Sequence, residues 1–533
     1  MKAVPFRTVS ENTWLFPTDT VGTPKQEITL HAARGGNVLF QLISDETVTE
    51  DTPFTLSIIG ANGVTVTPYQ LLPVHVEKNS APRNKMGRTD NYEEVRDFVT
   101  AKAPFDVFDI TEEIPGVLTA GRLALAFRLS VAPEAPVGCE EITLGVTAGD
   151  VTLSVAVSLT VHKAVIPPRE RSRLIVCNWI YPVHIAGSYG VELFSEEYYR
   201  IYRNHLRHLL DIRSNHFCMM GAHVGIEPIR DDGGRVIDFD FSVFETHLKI
   251  ADEMGFAALY GAFIAHWTVW TDDNVHLLWD PEVMVTDREA YRQLSLYCRR
   301  LREMIDRNGW QKKFIQPLVD EPQVNNERPY RILAAIYRKL MPGIPIHDPL
   351  ETTDVGGGPD IFCVKQSVYE KHISIFKEYQ EMGERFTYYT CGYPAGDHMN
   401  RVLDLPLCVG RLSFWMCHLY GFEGFLHWGY HAFADRKETF RTGPAGNQNI
   451  VYPAKGGEVA ETVRSHAQRA GAEDWELFSI LKQYDPAAAE ALILRGCRSF
   501  TDYERDGEAV DAIRIDLLTA LDNCCHPYSR TDA

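Results

Sequence analysis

The stretch "RLIVCNWI", residues 173–180, begins the pattern that decides the fold of this chain. It has the length and composition of a buried strand, and "SEEYYRIYRNHLRHLLDIRS" (195–214) follows it with helical spacing of its apolar residues. The same succession continues to residue 433, with about eight strands separated by helices. This number of units over roughly 330 residues predicts a (β/α)8 barrel. An open, doubly wound sheet is the alternative, but no Gly-rich phosphate turn follows an early strand.

Upstream of residue 173 the sequence has a period of two. Short alternating runs such as "GNVLFQLIS" (36–44) are separated by turn residues, including "GANG" (60–63) and "TAGD" (147–150). We expect an antiparallel β-sandwich over 1–165, a linker over 166–172 that contains "IPPRER", and the barrel with closing C-terminal helices over 173–533. The predicted fold class is therefore multidomain, β plus α/β, with an N-terminal antiparallel β-sandwich followed by a (β/α)8 TIM-like barrel.

Composition narrows the class of partner. The 533 residues carry a formal net charge of −19, which argues against nucleic acid and against anionic membranes. No run of 18 apolar residues and no signal-like N-terminal segment is present, so we expect no membrane insertion and a cytoplasmic location. The eleven cysteines have no paired metal spacing and fit reduced thiols. The oligomeric state is left open.

Polar and aromatic side chains follow most of the predicted strands, where a barrel of this kind places its chemistry. In chain order they are Asn178, Trp179, Tyr181, His223, His266, Trp267, Trp270, Asp320, Glu321, Glu351, Gln366, Tyr393, His427, Trp428, Tyr430 and His431. Aromatic rings stack on the C–H faces of sugars, and His, Asn, Gln and carboxylate groups bind hydroxyls. The pattern predicts a glycan or glycoconjugate substrate bound around one acidic pair.

That acidic pair lies in "FIQPLVDEPQ" (314–323). Neighbouring residues on a strand point to opposite faces, so Asp320 and Glu321 can share a site only where the strand ends. Pro322 cannot donate to a ladder and biases Glu321 toward an extended conformation. Two close carboxylates perturb each other's pKa, which suits a general acid beside a helper. The alternative is a solvated turn.

Three segments resemble glycoside hydrolase family 123: "LVDEP" (318–322), "DLPLCVGRLSFWMCHLYGFEGFLHWGYHAF" (404–433) and "AEDWELFSILK" (472–482). The resemblance covers roughly residues 170–485 and implies a β-sandwich before a (β/α)8 barrel. It also implies an exo-acting β-N-acetylgalactosaminidase with a substrate-assisted retaining mechanism. Asp320 would then orient the acetamido nitrogen, while Glu321 would protonate the leaving oxygen and later activate water. Substrate-assisted families are exceptions to the rule that retaining glycosidases use two carboxyl groups about 5–5.5 Å apart on opposite sides of the scissile bond.

The segment "YPAGDHMNR" (393–401) departs from the family pattern, so Asn400 is matched as a substrate-binding residue across a longer loop that holds Asp397 and His398. A sugar without an acetamido group would need another nucleophile, for which Glu351 is the candidate. A non-catalytic carbohydrate-binding barrel is the second alternative. His427 and His431 have His-x-x-x-His spacing, but they lie in a predicted strand-to-loop segment, where this spacing does not place both rings on one face as it does in a helix. We therefore expect no metal, and no cofactor.

Overall fold

The computed structural model describes residues 2–221, 225–433 and 443–524. The chain divides into two compact units. The sandwich unit comprises Met1–Leu174, Gly392–Tyr420 and Arg436–Ala533, and the barrel unit comprises Ile175–Cys391 and Gly421–Asp435. Within the described residues, no helix combines the length and apolar character needed to cross a membrane.

The sandwich unit begins with thirteen strands. They are β1 (Lys2–Ala3), β2 (Phe6–Ser10), β3 (Glu27–Arg34), β4 (Asn37–Val48), β5 (Thr52–Ile59), β6 (Val64–Val76), β7 (Asn79–Ser80), β8 (Arg88–Thr89), β9 (Phe105–Glu113), β10 (Val117–Leu118), β11 (Gly121–Val131), β12 (Gly138–Ala148) and β13 (Val151–Val165). Single 3-10 turns lie at Tyr92–Glu94 and Arg169–Arg171. The alternating runs of the sequence therefore form the strands they predict.

The barrel unit alternates strands and helices. Its strands are β14 (Ile175–Ile180), β15 (His216–Met219), β16 (Glu227–Arg230), β17 (Val236–Asp240), β18 (Ala258–Tyr260), β19 (Ala265–His266), β20 (His276–Leu277), β21 (Asp280–Met284), β22 (Phe314–Ile315), β23 (His347–Leu350), β24 (Ile361–Lys365), β25 (Arg385–Thr390) and β26 (Gly424–His427). Its helices are α1 (Pro182–Tyr189), α2 (Glu196–Asp211), α3 (Ser242–Glu253), α4 (Arg288–Asn308), α5 (Glu327–Leu340), α6 (Gln366–Lys371) and α7 (Ile373–Glu381).

Eight of these strands form one parallel sheet in the order β22-β18-β15-β14-β26-β25-β24-β23. A bridge between Gln316 and Ile346 links the two end strands, so the barrel is nearly closed. The excursions β16–β17 and β19–β20–β21 are antiparallel and lie in the loops that follow β15 and β18. The predicted (β/α)8 fold is confirmed, and the carboxyl ends of its strands meet at one face.

The rest of the sandwich unit comes from later in the chain: α8 (Val409–Tyr420), β27 (Tyr452–Pro453), a 3-10 turn (Lys455–Gly457), β28 (Val459–Thr462), α9 (Val463–Tyr484), α10 (Pro486–Gly496) and α11 (Gly507–Cys524). One sheet has the order β2-β4-β11-β6-β9-β28-β27. The other has the order β1-β13-β12-β5-β10, with β3 also paired to β13. Apolar side chains from both sheets form a common core that includes Phe40, Leu125, Leu144 and Val155, so the predicted sandwich is confirmed.

These late segments differ from the predicted division, which assigned all of 173–533 to the barrel domain. β28 extends a sandwich sheet through β9, and Arg464 on α9 donates to Asp109 on β9 at 2.9 and 2.7 Å. Arg411 on α8 pairs with Asp474 on α9 and with Glu11. Since a buried charge is costly without its partner, these ion pairs hold the helices against the sandwich sheets. Sequence periodicity carries no information on such long-range pairing.

Candidate active site

The segment before the acidic pair is anchored without regular strand pairing. β22 ends at Ile315, and Gln316 Nε2 donates to the carbonyls of Ala262 at 2.6 Å and Pro317 at 2.7 Å. Asp348 Oδ1 accepts from the backbone N–H groups of Leu318 at 2.6 Å and Val319 at 3.3 Å. Buried side chains therefore replace the ladder that Pro317 interrupts, and they carry the chain rigidly to Asp320.

The backbone at the pair turns sharply. Glu321 has φ of +49°, so the expectation that Pro322 would keep it extended is wrong. Trp267 Nε1 donates to the carbonyls of Asp320 at 2.8 Å and Glu321 at 3.1 Å, and Gln323 Nε2 donates to the Glu321 carbonyl at 2.8 Å. These bonds hold a conformation that is unusual for a residue with a side chain. Such strain persists where the surroundings over-determine it, as they do in catalytic sites.

The carboxylate of Glu321 is held by two groups from neighbouring strands. Lys365 Nζ lies 3.1 Å from Glu321 Oε1, and the Tyr389 hydroxyl donates to the same oxygen. Lys365 also pairs with Glu351, and its side chain is only 3% exposed. One buried ammonium group therefore serves two carboxylates, and both of these contacts to Glu321 are made to Oε1.

Asp320 has different surroundings. Burial raises the pKa of Asp320 well above its usual range, the charges of Glu321 and Asp348 raise it further, and Lys365 acts in the opposite direction. The pKa of Tyr181 is also raised, mainly by burial and further by the charge of Asp320. A raised pKa makes the ionised form of Asp320 a stronger base, and it also increases the fraction of the group that is protonated.

A cavity of about 590 Å³ opens beside Asp320. Its wall includes the end of β15 at Met219 and the segment after β18 at Phe263 and His266, together with the hairpins that follow these strands. This volume lies within the range of about 300–1,000 Å³ typical of small-molecule sites. Asp320 therefore borders a ligand-sized space at the carboxyl ends of the barrel strands.

Several predicted aromatic residues lie at this end of the barrel. Trp179 contacts Phe263 edge-on with ring centroids 5.8 Å apart, and Trp428 packs against the same interior cluster. Trp267 and Trp270 have centroids 4.6 Å apart, and Trp270 is 50% exposed. The predicted aromatic surroundings of the acidic pair therefore include both buried and solvent-facing rings.

Other predicted site residues serve the packing of the barrel unit instead. Asn178 is buried and donates through Nδ2 to Ser214 Oγ at 3.2 Å, because it faces away from the interior that Trp179 faces. Gln366 is buried and donates to Thr390 Oγ1 at 2.7 Å. Tyr430 donates to the His205 carbonyl at 3.2 Å. The structure does not bring these side chains to the acidic pair.

The two histidines of "HWGYHAF" are likewise buried. His427 Nδ1 accepts from the backbone N–H of Gly429 at 2.9 Å. His431 Nε2 lies 2.7 Å from Ser188 Oγ, and burial lowers the pKa of His431 to about 3. His431 is therefore a neutral, packed side chain and not a solvent-facing sugar ligand.

The segment after β25 belongs to the sandwich unit from Gly392 onward, and it contains Tyr393, Asp397, His398 and Asn400. Asn400 is buried and donates to Asn447 Oδ1 at 3.3 Å. Asp397 accepts from Arg83 Nε at 2.8 Å, and His398 Nδ1 lies 3.3 Å from the Ala395 carbonyl. These contacts are within one unit. His223, also predicted to bind substrate, lies outside the described residues.

Sequence reasoning missed Lys365 and Tyr389. Lys365 is the last residue of β24 and directly precedes Gln366, the residue predicted to bind substrate at this strand end. Tyr389 is the penultimate residue of β25. A lysine ending the apolar run "IFCVK" was the available signal, because a charge inside a buried strand needs a partner. Asp348, in the run "HDPL", was a similar signal. Among the described residues, no group of three or more His, Cys, Asp or Glu side chains is placed to hold a metal ion.

Comparisons with known proteins agree with the resemblance seen in the sequence. The family model "Glycoside hydrolase 123, catalytic domain" matches residues 179–481. No curated protein matches the chain. A solved family 123 glycoside hydrolase from Clostridium perfringens, studied for the hydrolysis of glycolipid glycans, is 14% identical with a TM-score of 0.71. The match covers 98% of this chain and 97% of that one.

Two further solved structures are less similar. A family 5 xyloglucanase from Bacteroides ovatus is 9% identical with a TM-score of 0.34, covering 88% of this chain and 100% of that one. A β-glucuronidase from Ruminococcus gnavus is 12% identical with a TM-score of 0.35, covering 81% of this chain and 69% of that one.

Proposed function

The chain belongs to glycoside hydrolase family 123, and from this premise we propose that it releases a terminal β-linked N-acetylhexosamine, with N-acetylgalactosamine favoured. The mechanism we propose is substrate-assisted and retaining. The observation that carries the proposal is the different environment of two sequence neighbours. Asp320 borders the cavity and has a raised pKa, whereas Glu321 is held by Lys365 and Tyr389.

Asp320 would act on the acetamido group. Its carboxylate accepts a hydrogen bond from the amide N–H, which makes the carbonyl oxygen of that group more nucleophilic. Because its pKa is raised, Asp320 takes up the amide proton more readily as positive charge develops on nitrogen. Asp320 thus acts as a base toward the amide nitrogen and needs no contact with the anomeric carbon.

Glu321 would act on the glycosidic oxygen. Lys365 and Tyr389 both contact Oε1, so the transferred proton would be carried by Oε2. This holds the carboxyl in one orientation, and positioning of a reacting group contributes much of an enzyme's rate acceleration.

The first step would join the acetamido oxygen to the anomeric carbon while the bond to the leaving oxygen breaks and Glu321 protonates that oxygen. In the second step, Glu321 removes a proton from water, the water oxygen attacks the anomeric carbon, and the oxazoline ring opens. Asp320 returns the proton to nitrogen. The sum is hydrolysis with retained configuration, and Glu321 ends protonated as it began.

The Clostridium perfringens neighbour hydrolyses glycolipid glycans, which makes a glycoconjugate a reasonable natural substrate to propose here. A second candidate is a glycosidase for a sugar without an acetamido group. Its support is the position of Glu351, whose carboxylate pairs with the same Lys365 ammonium that contacts Glu321 and so lies close to the proposed acid.

The test is hydrolysis of aryl β-GalNAc, β-GlcNAc, β-galactoside, β-glucoside and α-GalNAc by the full chain. We expect selective release from β-GalNAc, and a fall in kcat of at least about 100-fold in Glu321→Gln, as for the loss of a general acid. Glu378→Gln, an exposed substitution on α7, is the matched control and should leave kcat unchanged.

Asp320→Asn separates the two candidate functions. It should lower cleavage of acetamido sugars most, since it removes the charge beside the forming oxazoline. If the enzyme cleaves only neutral sugars and Glu351→Gln abolishes that activity, substrate assistance is wrong and the second candidate holds. Near-normal activity of Glu321→Gln would refute the assignment of the acid.

A further inference from the structure

The position of the cavity relative to the acidic pair indicates which part of the substrate it would hold. Asp320 forms part of its wall, but Glu321 does not. The space therefore opens away from the proposed acid and toward the residue that binds the amide nitrogen. Whatever occupies it is attached to that nitrogen; this reasoning rests on the proposed function.

The lining near Asp320 is chemically suited to hydrocarbon. The apolar side chains that line the cavity with Asp320 include Met219, Met220, Ile226, Phe263 and Leu278, while Glu227 and His266 are polar members of the same lining. A sugar ring placed among these apolar side chains would leave unpaired each hydroxyl that does not reach Asp320, Glu227 or His266, at a cost of about 1–3 kcal/mol for each unpaired group. An acyl chain has no such groups and gains from burial.

Three aromatic residues, Phe239, Trp279 and Tyr297, form another part of the cavity lining. Trp279 stacks on Tyr297 with centroids 4.8 Å apart, and Phe239 contacts Trp279 at 4.9 Å. Trp279 Nε1 donates to Gln293 Oε1 at 2.8 Å, which fixes the indole ring. A lining that combines this fixed aromatic stack with flexible methionines needs little reorganisation to accept chains of different length.

The volume exceeds the needs of an acetyl group. A methyl group is similar in size to a water molecule, which occupies about 30 Å³, whereas the cavity measures about 590 Å³. The geometry points to an N-acyl pocket that accepts hexosaminides with acyl groups longer than acetyl, such as propanoyl and butanoyl. Such chains extend from the amide bound by Asp320 toward the Trp279–Tyr297 stack.

The experiment uses aryl β-hexosaminides with N-acetyl, N-propanoyl and N-butanoyl groups. Hydrolysis by the wild type gives kcat/KM, and calorimetry with Glu321→Gln gives Kd for the uncleaved compounds. We expect the N-butanoyl compound to match or exceed N-acetyl in both measurements, by up to about 10-fold, as for apolar groups added in an apolar pocket.

Leu278→Trp tests the location. Leu278 lines the cavity and is 46% exposed, so a larger side chain there narrows the space without crowding the core. It should weaken N-butanoyl binding at least about 10-fold while N-acetyl binding changes less than 3-fold. Ile229→Trp, on the neighbouring hairpin at 43% exposure and outside the lining, should alter neither.

The outcomes are distinct. If N-acetyl is cleaved but N-butanoyl is bound and cleaved 100-fold worse, the pocket inference is refuted and the proposed function stands. Equal sensitivity of both compounds to Leu278→Trp would also refute the acyl placement. If no N-acyl compound binds or is cleaved, both are refuted.

Discussion

Lys365 Nζ lies 3.1 Å from Glu321 Oε1 and simultaneously pairs with Glu351, from a side chain that is 3% exposed. The pair joins the carboxyl end of β24 to the turn after β22, two strands away in the barrel wall. Together with the Tyr389 hydroxyl, it links neighbouring strands of the barrel to the proposed acid.

Lys365→Met should leave two carboxylates near each other without their cation. Removing one partner of a buried ion pair costs about 3–5 kcal/mol, so we expect a large fall in Tm. Adding Glu351→Gln should recover part of it. Lys365 also lowers the pKa of Asp320, so the ascending limb of kcat/KM against pH should move to higher pH. Lys371→Met, exposed on α6, is the control; an unchanged pH limb in Lys365→Met would contradict the prediction.

Tyr389→Phe should reduce kcat about 10-fold while KM changes less than 3-fold. The substitution removes the hydroxyl that donates to Glu321 Oε1 and orients the carboxyl, a hydrogen bond with a net worth of about 0.5–1.5 kcal/mol. Steady-state kinetics on the preferred aryl glycoside provides the measurement. Tyr388→Phe is the matched control because Tyr388 is equally buried on the same strand and points to the other face. Equal effects of both would indicate general packing.

Trp267→Phe should lower kcat by roughly 10-fold, because two carbonyls at the turn lose their shared donor and Glu321 loses its fixed geometry. Trp310→Phe removes another indole donor, which is buried and bonds Asp252 at 2.7 Å; it is the control for the loss of an indole hydrogen bond elsewhere in the barrel unit. We expect a similar loss of Tm in both variants but normal kcat in Trp310→Phe. Normal kcat in Trp267→Phe would show that the turn holds without the indole.

Asp348→Asn should move the ascending limb of kcat/KM to lower pH. Where Asp348 is ionised, above its own pKa of about 7, its charge raises the pKa of Asp320, so its removal lowers that pKa and keeps Asp320 ionised to lower pH. The asparagine retains an oxygen for the backbone N–H groups of Leu318 and Val319. Asp354→Asn, at the surface, should leave the profile unchanged. A shift to higher pH would contradict the proposed role of Asp320.

Asp348 also predicts how stability depends on pH. Burial raises its pKa to about 7 in the folded chain from 3.8, so the folded state binds more protons between these values. Its contribution is fully present below pH about 4 and is lost as pH rises through 7. Asp348→Asn should therefore make the decline of Tm from pH 5 to pH 8 shallower. Thermal unfolding at both pH values tests this, and an unchanged slope would contradict it.

The sequence predicted the fold class because local periodicity reports local structure. The runs "RLIVCNWI" and "IFCVK" and the helix at 195–214 lie in β14, β24 and α2 as expected. The same logic located Asp320 and Glu321 at a strand end, since a buried run that stops at carboxylates and proline cannot continue in a sheet. Side-chain direction was less accessible. Asn178 and Trp179 are neighbours with opposite environments, and a one-residue difference reverses the face.

By itself, therefore, the sequence determined the alternation of strands and helices, the position of the acidic pair and the family. Only the tertiary structure decided that Lys365 and Tyr389 hold Glu321 and that the turn at Glu321 is left-handed. It also decided that Asp320, and not Glu321, borders the cavity, and that the last helices pack with the sandwich sheets. The physical reason is that periodicity arises from neighbours within a few residues, whereas pKa values, ion pairs and cavities arise from groups that are distant in the chain.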